Sequence, residues 1–330
     1  MENAQQTAHR RNSLIELYRF FFALWVLYYH GYFFLPKNQY FDSGFLGVDF
    51  FFILSGLFLM TLFANLVQKG FWKGIINLIW KKLKPLGITL IISLIFAQIY
   101  FWLHIIDDFG DPFGFMWYIK WLILIPVIYY AIFYLLKDKK KFLIVVSLMV
   151  VVSYVLLYTL CFEWGILRGI SGIGIGILIS QIPTKKLVYK RFNFNILFVI
   201  ILIIGTFFAA MYKRYIPNGE HLFILFLFPA LLYFSKSIDC HFAVFNYLGS
   251  LSFGMYAYQT INRLIEDFGW LNDKQNNLEL FSIVMGLAIV DRLIRTLIKY
   301  HKDKNKAEQQ SKESLIIENN TSEETDKKSE

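Results

Sequence analysis

From Leu14 to Ile298 the chain is a succession of apolar runs, most of them close to the ~20 residues a helix needs to cross a hydrocarbon core. We read about ten spans of that kind. They lie approximately at Leu14–Leu35, Gly44–Val67, Leu86–Leu103, Met116–Leu136, Phe142–Cys161, Ile166–Ile182, Phe194–Tyr212, His221–Phe234, Phe242–Ile265 and Leu278–Ile298. Composition agrees, because 57% of the 330 residues are hydrophobic and 19% aromatic. A soluble domain is about 45–50% apolar, and this many Phe and Tyr side chains facing water would aggregate. The fold class predicted is therefore an all-α integral membrane protein, a bundle of about ten transmembrane helices. Residues 1–13 form a short polar segment, 14–298 the membrane domain, and 299–330 a charged tail with little to bury, expected to be disordered.

The net charge of +9 could suggest a nucleic-acid partner, but the basic residues fall in alternate gaps between the apolar runs. Arg10 and Arg11 precede the first span, and Lys69, Lys73, Lys81, Lys82 and Lys84 follow the second. Lys137, Lys139, Lys140 and Lys141 follow the fourth, and Lys185, Lys186, Lys190 and Arg191 follow the sixth. The intervening gaps are poor in Lys and Arg; Lys213 and Arg214 are the exception. This is the positive-inside pattern, and it places both termini in the cytoplasm and excludes a nucleic-acid role. Met1–Ser13 lacks the pattern of a cleavable signal, so the first run is expected to remain as an anchor. Cys161 and Cys240 fall in gaps on opposite faces, so no disulfide is expected. His104, His221 and His241 lack metal-ligand spacing, and no metal site or phosphate loop is predicted. Between the second and third spans, Phe71–Trp80 is apolar and aromatic and runs into Lys81, Lys82, Lys84 and Pro85. It reads as an amphipathic helix along the cytoplasmic interface, its lysines facing either lipid phosphate or another anionic ligand.

Ionisable residues within spans are costly in lipid and point to function. The first span holds Glu16, Arg19 and His30. Arg19 and His30 are separated by about three turns, or ~16 Å along the axis, and return to nearly the same face. Glu16 is one turn from Arg19 and can pair with it. Two readings stand for Glu16 and Arg19, interfacial snorkelling or part of a functional stripe. His30, deeper in the outer half, is either a packed histidine or a general base. Asp49 opens the second span at the depth of His30, where a carboxylate would fix the imidazole tautomer and stabilise the imidazolium. Ser55 and Gly56 follow. We read them as a packing site for another helix rather than as a nucleophile, since no nucleophile elbow surrounds Ser55.

Arg19, the apolar stretch ending at His30, and the segment Phe45-Leu46-Gly47-Val48-Asp49-Phe50-Phe51-Phe52-Ile53-Leu54-Ser55-Gly56 together resemble the opening of acyltransferase family 3. Lys81, Lys82, Lys84 and Pro85 stand where that family has an Arg-rich stretch ending in Pro. Met116-Trp117-Tyr118-Ile119, the run Arg168–Gly176 and the stretch Tyr247–Tyr256 resemble later family segments. Lysines replace arginines, keeping the charge and losing the bidentate fork. Gln259 stands where many members carry a second His.

The resemblance implies a membrane O-acyltransferase, transferring groups other than amino-acyl groups, with acetyl as the default and succinyl an alternative. Its co-substrate would be cytoplasmic acyl-CoA, with no bound cofactor. The acceptor would be a hydroxyl of a surface polysaccharide or lipid-linked glycan, and the location a bacterial cytoplasmic membrane. On this reading His30, Asp49 and Arg19 are catalytic, and Lys81, Lys82 and Lys84 bind the acyl-CoA phosphates. Arg168, Trp117, Tyr118 and Tyr256 meet the acceptor. Arg168 read from depth alone is equally a headgroup anchor, and the aromatics are equally interfacial belt residues. Direct transfer and an acyl-enzyme on His30 or Ser55 both remain open. The competing class is a transporter of a glycan or lipid intermediate, in which intramembrane Arg and His would line a path. The internal repeat and the paired broken helices common in transporters are not evident.

Overall fold

The computed structural model describes residues 12–29, 43–103, 117–159, 164–185, 187–189, 192–212, 219–267 and 277–326. His30, Lys213 and Arg214, along with Met116 and Cys161, lie outside these residues. The described chain is almost wholly helical, in the order α1 (Ser13–Tyr29), α2 (Leu46–Leu57), α3 (Leu59–Val67), α4 (Phe71–Leu103), α5 (Trp117–Leu136), α6 (Lys139–Thr159), α7 (Trp164–Gln181), α8 (Phe194–Tyr212), a π-helical turn (Leu222–Leu227), α9 (Phe228–Lys236), α10 (Ala243–Asp267) and α11 (Asn277–Asp326). A two-residue hairpin, Val188–Tyr189 against Phe192–Asn193, precedes α8. Among the described residues four helical stretches are long and apolar enough to cross a membrane, Leu46–Val67, Trp117–Leu136, Lys139–Leu157 and Phe194–Tyr212. Gly165–Gln181 and Leu222–Lys236 are shorter apolar helices.

Several element ends have visible causes. Asn12 caps α1, its Oδ1 accepting from the amides of Leu14 (3.0 Å) and Ile15 (3.4 Å). Its Nδ2 donates to the carbonyls of Ser235 and Ile238, each at 2.9 Å, which ties the start of α1 to the end of α9. Lys137 stops α5 with φ 53°, a left-handed conformation usually left to Gly. Asp138 then caps α6, accepting from the amides of Lys140 (2.7 Å) and Lys141 (3.3 Å). The expected second span is divided at Phe58 into α2 and α3.

Two differences from the sequence reading are larger. The interfacial segment and the third span form one element, α4, which bends at Gly87 (φ 9°, ψ −104°) just after Pro85. Proline lacks the amide that would continue the hydrogen-bond ladder, so a kink falls there. Arg295 of α11 reaches the bend, donating to the Pro85 carbonyl and Thr89 Oγ1 while pairing with Asp291. Thr89 Oγ1 in turn donates to Asp291 Oδ2 at 2.8 Å. Arg295 thus clamps the bend. The second difference is the tail, which is helical as far as Asp326 instead of irregular. Its Lys, Glu, Gln and Ala residues are good helix formers, and Lys304 and Glu308 pair across one turn at 3.9 Å.

The bundle is assembled from close pairs: α1 against α10, α2 against α7, α6 against α7, and α10 against both α11 and α4. Small residues set the tightest of these. A Cβ on Gly56 would sit 2.0 Å from the Ile173 carbonyl oxygen, and one on Gly176 would sit 2.0 Å from that of Ile53. The α2 and α7 backbones therefore touch, as close-packed membrane helices do at small residues. Phe22, Phe50 and Phe228 interlock above this contact, with centroids of Phe22 and Phe50 4.0 Å apart.

Candidate active site

Among the described residues, several of the polar side chains singled out by sequence gather in two places, both along α2. Nearest its first turn, Asp49 is 2% exposed and cannot face water. Arg168, in the second turn of α7, grips it from the side. Nε donates to Oδ1 at 2.9 Å and Nη2 to Oδ2 at 2.6 Å, a two-pronged pair. The same Nη2 donates to the Phe45 carbonyl at 3.0 Å. The guanidinium also lies over the rings of Trp117 (5.3 Å) and Phe45 (5.6 Å). The strong contact between α2 and α7 brings these two charges together. The expected partner of Asp49, His30, lies outside the described residues, and the carboxylate is held by Arg168.

The second place is a cavity of about 560 Å³ at the end of the bundle that carries Asn12 and His241. Its lining includes Glu16, Arg19, Ser55, Lys82, Lys236 and Asp239. Glu16 accepts from Arg19 Nη1 at 2.8 Å, so one cation is neutralised within α1. Lys236 donates to the Ser180 carbonyl at 3.3 Å. Lys82 Nζ donates to Ser55 Oγ at 2.6 Å. Lys82 belongs to the part of α4 before the bend, and burial pushes its ammonium down to about 8. Lys81 and Lys84 are exposed and are not among the lining residues. Of the three lysines the sequence groups together, the structure brings only Lys82 into the cavity. Among the described residues no group of three or more His, Cys, Asp or Glu side chains is placed to hold a metal ion.

Between the two places stands an aromatic wall. Tyr118 lines the cavity together with Phe51, whose ring centroid is 6.3 Å away. Behind Tyr118 lies Tyr256 at 5.4 Å, edge to face, and Phe52 lies at 4.8 Å. This pair of rings stands between the two ends of the site. Both tyrosines are buried, which sets them apart from residues of an interfacial belt. Gln259 is buried on α10, and its Oε1 has no hydrogen-bond partner among the described residues.

The pairing of Asp49 with Arg168 and that of Ser55 with Lys82 were not anticipated. The second had a signal in the sequence. Lys82 lies one turn from Leu78 and one from Leu86, both of them buried, so it sits on the inward face of α4. The acidic Asp291 carried a similar signal, being an ionisable residue within the last span.

No curated protein and no solved structure matches the chain. A family model described as an acyltransferase domain, Acyl_transf_3, matches residues 12–290, which takes in α1, both polar places and the Arg295-clamped bend as far as the residue before Asp291. The chain therefore belongs to acyltransferase family 3 and is a membrane acyltransferase.

Proposed function

We propose that this protein moves an acyl group, acetyl by default, from cytoplasmic acyl-CoA to a hydroxyl of a surface polysaccharide or lipid-linked glycan. The observation that carries this reading is the cavity in which Arg19, Lys82 and Lys236 converge against only two carboxylates, Glu16 and Asp239. An excess of cations in a cleft suits an anionic donor. The positive-inside pattern assigns this end of the bundle to the cytoplasm, where acyl-CoA is made. Lys81 and Lys84, exposed and flanking Lys82 in sequence, are the groups we assign to the nucleotide phosphates. The pantetheine arm would enter past Lys236 and bring the thioester toward Ser55 and Arg19.

The acceptor belongs to the other place. Trp117 offers an aromatic surface suited to a sugar ring, and the Arg168 guanidinium, held by Asp49 and 5.3 Å from the Trp117 ring, backs that surface. His30, the residue after Tyr29 in sequence, is the base we assign to the acceptor hydroxyl. The Asp49–Arg168 pair holds the start of α2 against α7. The rival reading is a transporter of the same glycan or its lipid-linked precursor.

The test is to measure ester-linked acyl groups on the host's surface glycan in a deletion strain, in a wild-type rescue and in a His30→Ala rescue at matched protein levels. We expect wild type to restore the ester and His30→Ala to lose it by at least about a hundredfold. Unchanged acylation in every strain, with glycan export falling on deletion, would establish the transporter reading instead.

A further inference from the structure

The mechanism above leaves one contact without a role. Ser55 and Lys82 come from different helices, 27 residues apart in sequence, yet their side chains meet at 2.6 Å on the wall of the donor cavity. A serine hydroxyl within hydrogen-bond reach of a base is the arrangement that activates a weak nucleophile. Serine–lysine pairs carry this chemistry in enzymes of other folds. We propose that Ser55 and Lys82 form a nucleophile–base pair, and that the acyl group passes through an ester on Ser55 before it reaches the acceptor. The proposal rests on the acyl-CoA reading of the cavity.

The pair is placed for the step. Lys82 is held on the inward face of α4 between Leu78 and Leu86, and both leucines are buried. Beyond Lys82 the Pro85–Gly87 bend is fixed by Arg295, so the amine does not swing freely with the interfacial helix. Burial lowers the lysine to about 8, which leaves a useful neutral fraction near pH 7. Arg19 lines the same cavity with Nη1 engaged by Glu16. Its guanidinium has further donors, which can meet an oxyanion as it forms.

In the first half-reaction the neutral Lys82 amine takes the proton of Ser55 as Oγ attacks the thioester carbonyl. The carbon–sulfur bond breaks, and the coenzyme A thiolate leaves with that proton returned from Lys82. In the second, the acceptor hydroxyl attacks the Ser55 ester. The acceptor's proton goes to His30, the bond between the acyl carbon and Ser55 Oγ breaks, and Oγ takes up a proton from solvent as His30 releases its own to solvent, which restores the free pair. Overall one thioester and one hydroxyl become one thiol and one ester, with no redox change.

The experiment uses full-length protein in membranes with radiolabelled acetyl-CoA and no acceptor. We expect label to stay on the denatured protein, to be released by hydroxylamine and to map to the peptide containing Ser55. Free coenzyme A should also exchange into acetyl-CoA, a readout that needs no variant and so survives any folding defect. Ser55→Ala should remove both signals. Lys82→Arg should lower the exchange rate by at least about a hundredfold, although it keeps the positive charge that a structural or phosphate-binding role would require. Exchange in wild type should rise with pH and level off above about 8, as Lys82 becomes neutral. The proposal is overturned if label maps to another residue, or if acyl reaches glycan with no labelled protein and no exchange. It is also overturned if Lys82→Arg matches wild type. Absence of acyl transfer to glycan in wild-type cells would instead remove the underlying acyltransferase reading.

Discussion

The two polar places along α2 differ in how they treat charge. At Asp49 the carboxylate meets a guanidinium through two hydrogen bonds, with the side chains 3% and 14% exposed. At Arg19 the partner is Glu16 on the same helix, joined by a single bond, and the side chains are 30% and 10% exposed. The first pair is sealed beneath aromatic rings and joins two helices. The second opens onto a cavity and leaves part of its guanidinium free for a ligand. Neutralised, buried charges fix a fold in place, whereas incompletely paired charges beside a cavity are available for chemistry. On that distinction Asp49 and Arg168 position the start of α2, and the roles we propose on the donor fall to Arg19, Ser55 and Lys82.

Breaking the sealed pair should have the largest effect on stability. Asp49→Ala leaves the Arg168 charge buried and uncompensated, and should cost about 3–5 kcal/mol, seen as a lower unfolding temperature of the purified protein in detergent. The Gly56–Gly176 contact comes next, since it sets the spacing on which both places depend. Gly176→Ala forces a methyl group against the Ile53 carbonyl and Gly56 Cα, and should cost about 1–3 kcal/mol in the same measurement. Glu16→Ala, at the more open pair, should cost only about 0–1 kcal/mol while altering donor affinity. Equal losses of stability at Glu16 and Asp49 would erase the distinction between the two places.

The all-α class was legible from hydropathy, as were four helices long and apolar enough to cross a membrane among the described residues. Phe194–Tyr212 has the same limits in sequence and structure. Gly56 was read as part of a close-packing site, and a Cβ there would lie 2.0 Å from the Ile173 carbonyl oxygen; the part played by Gly176 was not read. Periodicity says nothing of which spans become neighbours, so the meeting of Arg168 with Asp49 could not be read. Three lysines grouped by charge were treated alike, yet helical phase separates Lys82 from Lys81 and Lys84. The continuity of α4 through Pro85 was also hidden, because Pro reads as a boundary, and the Arg295 clamp that holds the bent helix comes from the far end of the chain. The tail was read from its polarity, although its residues favour helix.

The central claim is that the cation-lined cavity takes the acyl donor from the cytoplasm. Membrane vesicles prepared in both orientations from cells making the protein, supplied with radiolabelled acetyl-CoA, test it most directly. The account predicts that inverted vesicles, which present the cytoplasmic face to the medium, incorporate label into glycan in a protein-dependent manner, and that sealed right-side-out vesicles do not. Incorporation confined to right-side-out vesicles, or none in either preparation while both retain the glycan, would contradict it.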